Sequence, residues 1–165
     1  MIWYFYINAA IAVVATALTI TARNAVHALL YFIVSLLAVS VSMYMLGAPF
    51  AAALEVIIYA GAIMVLFLFV VMLLNVVPAS SQKHHLESWV GPIGLSILLV
   101  GELALMFSDQ RAVKLGTTVV TAKEVAISLF TTYGLLVELT SFLLLAGLVG
   151  AYHVGKKGGH HGHSS

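Results

Sequence analysis

The chain has 165 residues, of which 62% are apolar and 8% charged, with a net charge of +1 and no cysteine. Soluble domains carry about 25% charged residues, so a water-soluble core is excluded, and the chain reads as an all-α integral membrane protein with room for one small bundle and no appended catalytic domain. The lack of cysteine excludes disulfides, thiolate nucleophiles, iron-sulfur ligation and Cys-based zinc sites.

Five transmembrane helices are predicted in chain order, at about 2–21, 26–46, 51–75, 89–107 and 134–153. Each approaches the roughly 20 residues that a helix needs to cross ~30 Å of hydrocarbon. Together they form one predicted transmembrane domain, 1–155, followed by a Gly/His-rich tail, 156–165, expected to be disordered. The first span opens on Trp3, Tyr4, Phe5 and Tyr6, which suit an interfacial belt, and no basic segment precedes it. It reads as a retained helix rather than a signal peptide. The links Ala22–Ala25 and Gly47–Phe50 are very short, with Gly47 and Pro49 ending one helix and starting the next. The first three spans are therefore neighbouring up-and-down rods.

The loop Val76–Ser88 is polar and crosses no membrane. Within Ser108–Tyr133, Thr121-Ala-Lys-Glu124 is a capping-box pattern followed by Val125, Ala126, Leu129 and Phe130 at helical spacing, which predicts a short amphipathic helix at the interface. Arg23, Lys83, Lys156 and Lys157 fall on one side of the membrane and Arg111, Lys114 and Lys123 on the other. The positive-inside rule thus favours an outside N-terminus and a cytoplasmic C-terminus.

Glu55 is the one formal charge between Arg23 and Lys83. A charged side chain in such a run costs roughly 3 kcal/mol on insertion scales, so it should face protein or water. Tyr59 follows one turn later on the same face, and then the small patch Ala60, Gly61, Ala62. A buried carboxyl that is neutral part of the time suits a group that takes up and releases protons, so Glu55 reads as functional. Topology places Glu102 and Glu138 on the same side of the membrane as Glu55, roughly 6–9 Å inside the apolar boundary. No Lys or Arg lies in any span to pair with these acids, so water, hydroxyls or other subunits must serve them. Glu102, near a helix end, is expected to reach the interface and be solvated. Glu138 precedes Thr140 and Ser141, whose hydroxyls allow either packing within the bundle or a place on a proton path.

Ala146 with Gly150 and Gly147 with Ala151 form a small-residue packing seam. His27 reads as interfacial, and the tail residues His160, His161 and His163 as solvated rather than metal-binding. No phosphate-cradling glycine loop, no H-E-x-x-H and no basic aromatic surface for nucleic acid is present. Taken alone, the chain carries no complete chemistry.

The stretch Gly47–Asn75, GAPFAAALEVIIYAGAIMVLFLFVVMLLN, resembles the third helix of subunit J of bacterial NADH:quinone oxidoreductase, respiratory complex I, itself similar to mitochondrial NADH dehydrogenase subunit 6. Asn24–Ser40, NAVHALLYFIVSLLAVS, and Leu129–Gly155, LFTTYGLLVELTSFLLLAGLVGAYHVG, agree. The match departs at Ala25, where the family often has proline, and in the tail. The resemblance implies a five-helix subunit of a proton-pumping translocase in the bacterial inner membrane, set among quinone-cavity and antiporter-like subunits. It implies no cofactor in this chain, with NADH, FMN, iron-sulfur clusters and quinone in partner subunits. It also implies a π-bulge around Tyr59–Gly61 that comes and goes with the state of the enzyme. Adding or removing one residue of bulge rotates the segment around Val65 by about 100°, and this rotation is expected to gate water. The alternative is a membrane subunit of a multi-component cation/proton antiporter, in which Glu55 and Glu138 line a path with no redox partner.

Overall fold

The computed structural model of the protein describes residues 2–74, 87–108 and 118–157. Its elements are α1 (Ile2–Thr21), α2 (Ala25–Met45), α3 (Pro49–Leu54), a π-helical stretch (Glu55–Ile63), α4 (Met64–Leu73), α5 (Glu87–Ser108), α6 (Ala122–Thr131) and α7 (Gly134–Lys157). The third span is α3, the π stretch and α4 in one continuous rod, Pro49–Leu73; with α1, α2, α5 and α7 it makes five helices long and apolar enough to cross a membrane. Among the described residues there is no strand. The fold is thus all-α and polytopic. Lys83, Arg111, Lys114, the polar loop through His84 and His85, and the tail with His160, His161 and His163 lie outside the described residues.

Two compact units divide the chain, Met1–Thr121 and Ala122–Ser165. In the first, α1 and α2 form an antiparallel hairpin. Asn24 caps α2, its side chain accepting from the Val26 N–H at 2.9 Å, which satisfies one of the helix's free amides. Ala15 and Ala38 are fully buried and join Ile11, Val34 and Leu99 of α5 in one apolar cluster. Small residues at such a contact let two backbones approach closely, which is the main source of helix association where lipid supplies no hydrophobic drive. A second cluster closes the other end of these helices, with Met45 and Met106 packed by Tyr4, Phe5, Val41 and Tyr44.

Between α2 and α3 the chain turns on Gly47, at φ 89°. The Gly47 N–H donates to Tyr44 O at 3.1 Å and the Ala48 N–H to Met43 O at 3.0 Å, closing the end of α2, and Pro49 opens α3 where its missing N–H costs nothing. The Gly47 carbonyl accepts from the Val120 N–H at 2.9 Å, so the segment after α5 returns to this turn. Gly47→Ala forces a side chain into a left-handed conformation at a cost of about 1–2 kcal/mol. Heating the solubilised complex should therefore release this variant subunit at a lower temperature than the parent.

The second unit contains α6 and α7. Helix α6 begins directly after Thr121, as its capping pattern predicts, and ends where the N–H groups of Thr132 and Tyr133 both donate to Ser128 O, at 3.0 and 3.1 Å. Helix α7 buries none of its described residues, and its helical turns continue through Lys157. Thr140 and Ser141 donate to Leu136 O and Val137 O of their own helix, at 2.7 and 3.1 Å. Their hydroxyls are spent locally.

Candidate functional site

The third span begins regular, becomes π-helical in its middle and ends regular. Ser40 of α2 anchors its first part, donating to Ala52 O at 2.9 Å inside the packed contact. At the junction the Glu55 N–H still reaches Ala51 O, four residues back, and Ala52 O, three back, so the slip to the wider spacing falls beyond this amide. The slip is complete at the far end, where the Met64 N–H donates to Tyr59 O, five residues back. The π stretch Glu55–Ile63 includes the predicted Tyr59–Gly61 and extends beyond it on both sides.

Local sequence explains why this segment tolerates the wider turn. Ala60, Gly61 and Ala62 bring little side-chain bulk, and glycine weakens a regular helix by about 1 kcal/mol relative to alanine. A Cβ added at Gly61 would sit 3.1 Å from the Val56 carbonyl, its partner position five residues back, so any larger residue presses on the π geometry itself. Ala52, Ala60 and Met64 are buried, while Glu55, Ile63, Leu68 and Val71 are half-buried. Tyr59 is 50% exposed and Val65 42% exposed, on the outer side of the rod. Among the described residues the half-buried Glu55 side chain makes no hydrogen bond or ion pair.

Glu55, Tyr59, Gly61 and Val65 thus share one span, and the other two acids do not join them. Glu138 lies exposed on α7 in the second unit. Glu102 departs from its expected solvated position: it is 7% exposed, and neither carboxylate oxygen has a hydrogen-bond partner among the described residues. The reason is the register of α5. Leu99, Glu102 and Met106 recur at helical spacing on the face that packs on α1 and α2, so the acid is carried inward with its apolar neighbours. His27 lies in the first turn of α2, at the end of its span. Its ring stands edge-on to Trp89 with centroids 5.4 Å apart, and both ring nitrogens are enclosed.

Three polar residues with structural roles were not singled out by the sequence pattern: Asn8, Ser40 and Ser42. Asn8 is fully buried; its Nδ2 donates to Ala38 O at 2.6 Å and to Ser42 Oγ at 2.8 Å. The signal was available, because an amide in the run Ile2–Ala15, which has no other amide or charge, must find partners or leave the membrane. Among the described residues no three His, Cys, Asp or Glu side chains gather to hold a metal ion.

The family model of NADH-ubiquinone/plastoquinone oxidoreductase chain 6 matches residues 15–154, which include the last turns of α1, the whole of α2, the third span and α5, and most of α7. The chain belongs to the subunit J family of NADH-quinone oxidoreductase. Subunit J of Pseudomonas aeruginosa is 52% identical over 158 residues, covering 93% of this chain and 95% of that protein. Subunit J of Escherichia coli K12 is 48% identical over 157 residues, covering 93% and 85%. Subunit J of Buchnera aphidicola from Schizaphis graminum is 45% identical over 163 residues, covering 95% and 99%. Membership makes this chain a membrane subunit of complex I, with other complex I subunits as its partners in the bacterial inner membrane. The outer face of its third span and all described side chains of α7 except half-buried positions are exposed in the single chain.

Proposed function

We propose that the third span gates a water and proton path between the quinone site and the antiporter-like subunits by changing its helical register. The observation that carries this reading is the π stretch Glu55–Ile63, placed mid-span and enclosing Tyr59 and Gly61. Counting from the anchored Ala52 at ~3.6 residues per turn, a regular helix would turn Tyr59, Ile63 and Val70 toward the face that packs on α2. With the π stretch, that face instead carries Ala60 and Met64, both buried, and the half-buried Val71, each one residue later. Removing the extra residue of bulge therefore rotates everything beyond it by about 100°. Val65, Leu66 and Phe67 swing with it.

In the regular register a different face of the segment around Val65 meets the path, and water joins the quinone-proximal carboxylates to the antiporter-like subunits. In the π register bulky apolar side chains block it. Tyr59 contributes a hydroxyl to the wire or pins the bulge, and Glu55 holds a proton or sets the field just outside the gate. Glu138 on α7 is a further acid available to the path. NADH, FMN, the iron-sulfur clusters and quinone are assigned to partner subunits in this reading, and the lack of cysteine leaves this chain no thiolate for a cluster. Its own contribution is conformational, with the N-terminus outside and the C-terminus cytoplasmic.

Glu55→Gln and Tyr59→Phe in the intact complex test the reading. Protons pumped per electron should fall severalfold, while the amount of assembled complex and NADH oxidation by artificial acceptors stay at parental levels. A subunit that merely holds its neighbours would lose pumping and assembly in proportion, and that outcome contradicts the gate.

A further inference from the structure

A second polar place lies away from the third span, in the contact between α1, α2 and α5. The two apolar clusters fix its level. On α1, Ile11 belongs to the Leu99 cluster and Tyr4 and Phe5 to the Met106 cluster, with Asn8 between them. On α5, Glu102 falls between Leu99 and Met106; on α2, Ser42 falls between Ala38 and Met45. The antiparallel run of α1 against α5 therefore brings Asn8, Ser42 and Glu102 to one layer of the bundle.

Hydrogen-bond accounting in this layer does not close among its own groups. Both Asn8 N–H donors are committed, one to Ala38 O and one to Ser42 Oγ. The carbonyl Ala38 O accepts only, so the atom facing it is the amide nitrogen and the oxygen points the other way. The Ser42 hydroxyl donates to Ala38 O at 3.1 Å. The donors of Asn8 and Ser42 are thus spent within this contact, and three oxygens remain: Asn8 Oδ1 and the two of Glu102, all enclosed and without a partner among the described residues. The chain's own helices enclose them, Asn8 at 0% and Glu102 at 7% exposure, so a neighbouring subunit does not reach them from outside. Buried acceptors left unmatched are destabilising, because they have given up their hydrogen bonds to water. Protonation of Glu102 supplies at most one donor for three enclosed oxygens, so the layer still calls for a small donor inside the bundle, and water brings two hydrogens.

We propose that Asn8, Ser42 and Glu102 form a buried water-binding site between α1, α2 and α5, in which a water molecule donates to Asn8 Oδ1 and to the Glu102 carboxyl. The site places an acid in contact with internal water at a level set by Leu99 and Met106, independently of the third span. A dry layer would leave the register switch untouched.

A density map of the intact complex, fine enough to show ordered water elsewhere in the membrane arm, tests it directly. The expected result is a water peak within about 2.6–3.2 Å of both Asn8 Oδ1 and a Glu102 oxygen. Direct contact of the two side chains with no peak between them, or Glu102 turned outward to lipid or to a partner's cation, would overturn it. Radiolytic labelling of the complex gives a second readout, because radicals formed from bound water oxidise the nearest methionine. Met106, one turn beyond Glu102 and 1% exposed, should be labelled in the parent and fall to background in Asn8→Leu. Equal labelling in the two, or none in the parent, counts against the site.

Discussion

Gly61→Val should abolish most quinone-coupled proton pumping while leaving electron transfer from NADH to artificial acceptors intact. Two effects act in the same direction. A Cβ at this position meets the Val56 carbonyl at 3.1 Å in the π register, and the two added methyl groups enlarge the crowding. Loss of glycine also removes the weak point that makes a regular helix costly here, by up to about 1 kcal/mol. The two registers can interconvert only if their free energies are close, and a bias of about 1.4 kcal/mol changes their ratio tenfold. An order-of-magnitude loss of pumping per electron is therefore the expected size. Quinone reduction by the complex, measured together with proton uptake in sealed vesicles, separates a stuck gate from a lost subunit. Unchanged pumping in this variant would remove the gating claim.

Ala38→Leu should reduce assembly rather than coupling. Ala38 is fully buried, in the same cluster as the fully buried Ala15 of α1, and its carbonyl receives both Asn8 and Ser42. A larger side chain forces α1 and α2 apart, with an overpacking cost of about 1–3 kcal/mol, and stretches the Asn8 hydrogen bond at the same time. The amount of intact complex recovered from membranes should drop severalfold, and the complexes that do assemble should pump normally. Parental recovery would mean that the close α1–α2 contact contributes little to holding the subunit together.

The five helices were legible because a helix that crosses a membrane must be apolar for most of its length, and the breaks between spans carry their own chemistry. Gly47 and Pro49 are the clearest case: the left-handed glycine and the helix-opening proline both stand where the pattern put them. Less legible was which face of each helix turns inward. In a span that is apolar all round, periodicity hardly separates a lipid-facing side from a packed one, so Glu102 reads as a residue near a helix end when the register of Leu99 and Met106 carries it into the bundle. Asn8 was passed over for the same reason, although its polarity alone demands partners. Glu55, Tyr59 and Gly61 could be placed on one rod from spacing, but the length of the π stretch depends on backbone hydrogen bonds that no single residue announces. Thr140 and Ser141 look like interhelical donors and bond to their own helix instead, since a carbonyl one turn back is always within reach of such a hydroxyl.

The register of the third span in two trapped states of the intact enzyme is the measurement that bears most directly on this account. Density maps with and without bound quinone should show Glu55–Ile63 π-helical in one state and regular in the other, with Tyr59, Ile63 and Val70 replacing Ala60, Met64 and Val71 against α2. One unvarying register in both states, with Glu55 and Tyr59 turned into lipid, would contradict it.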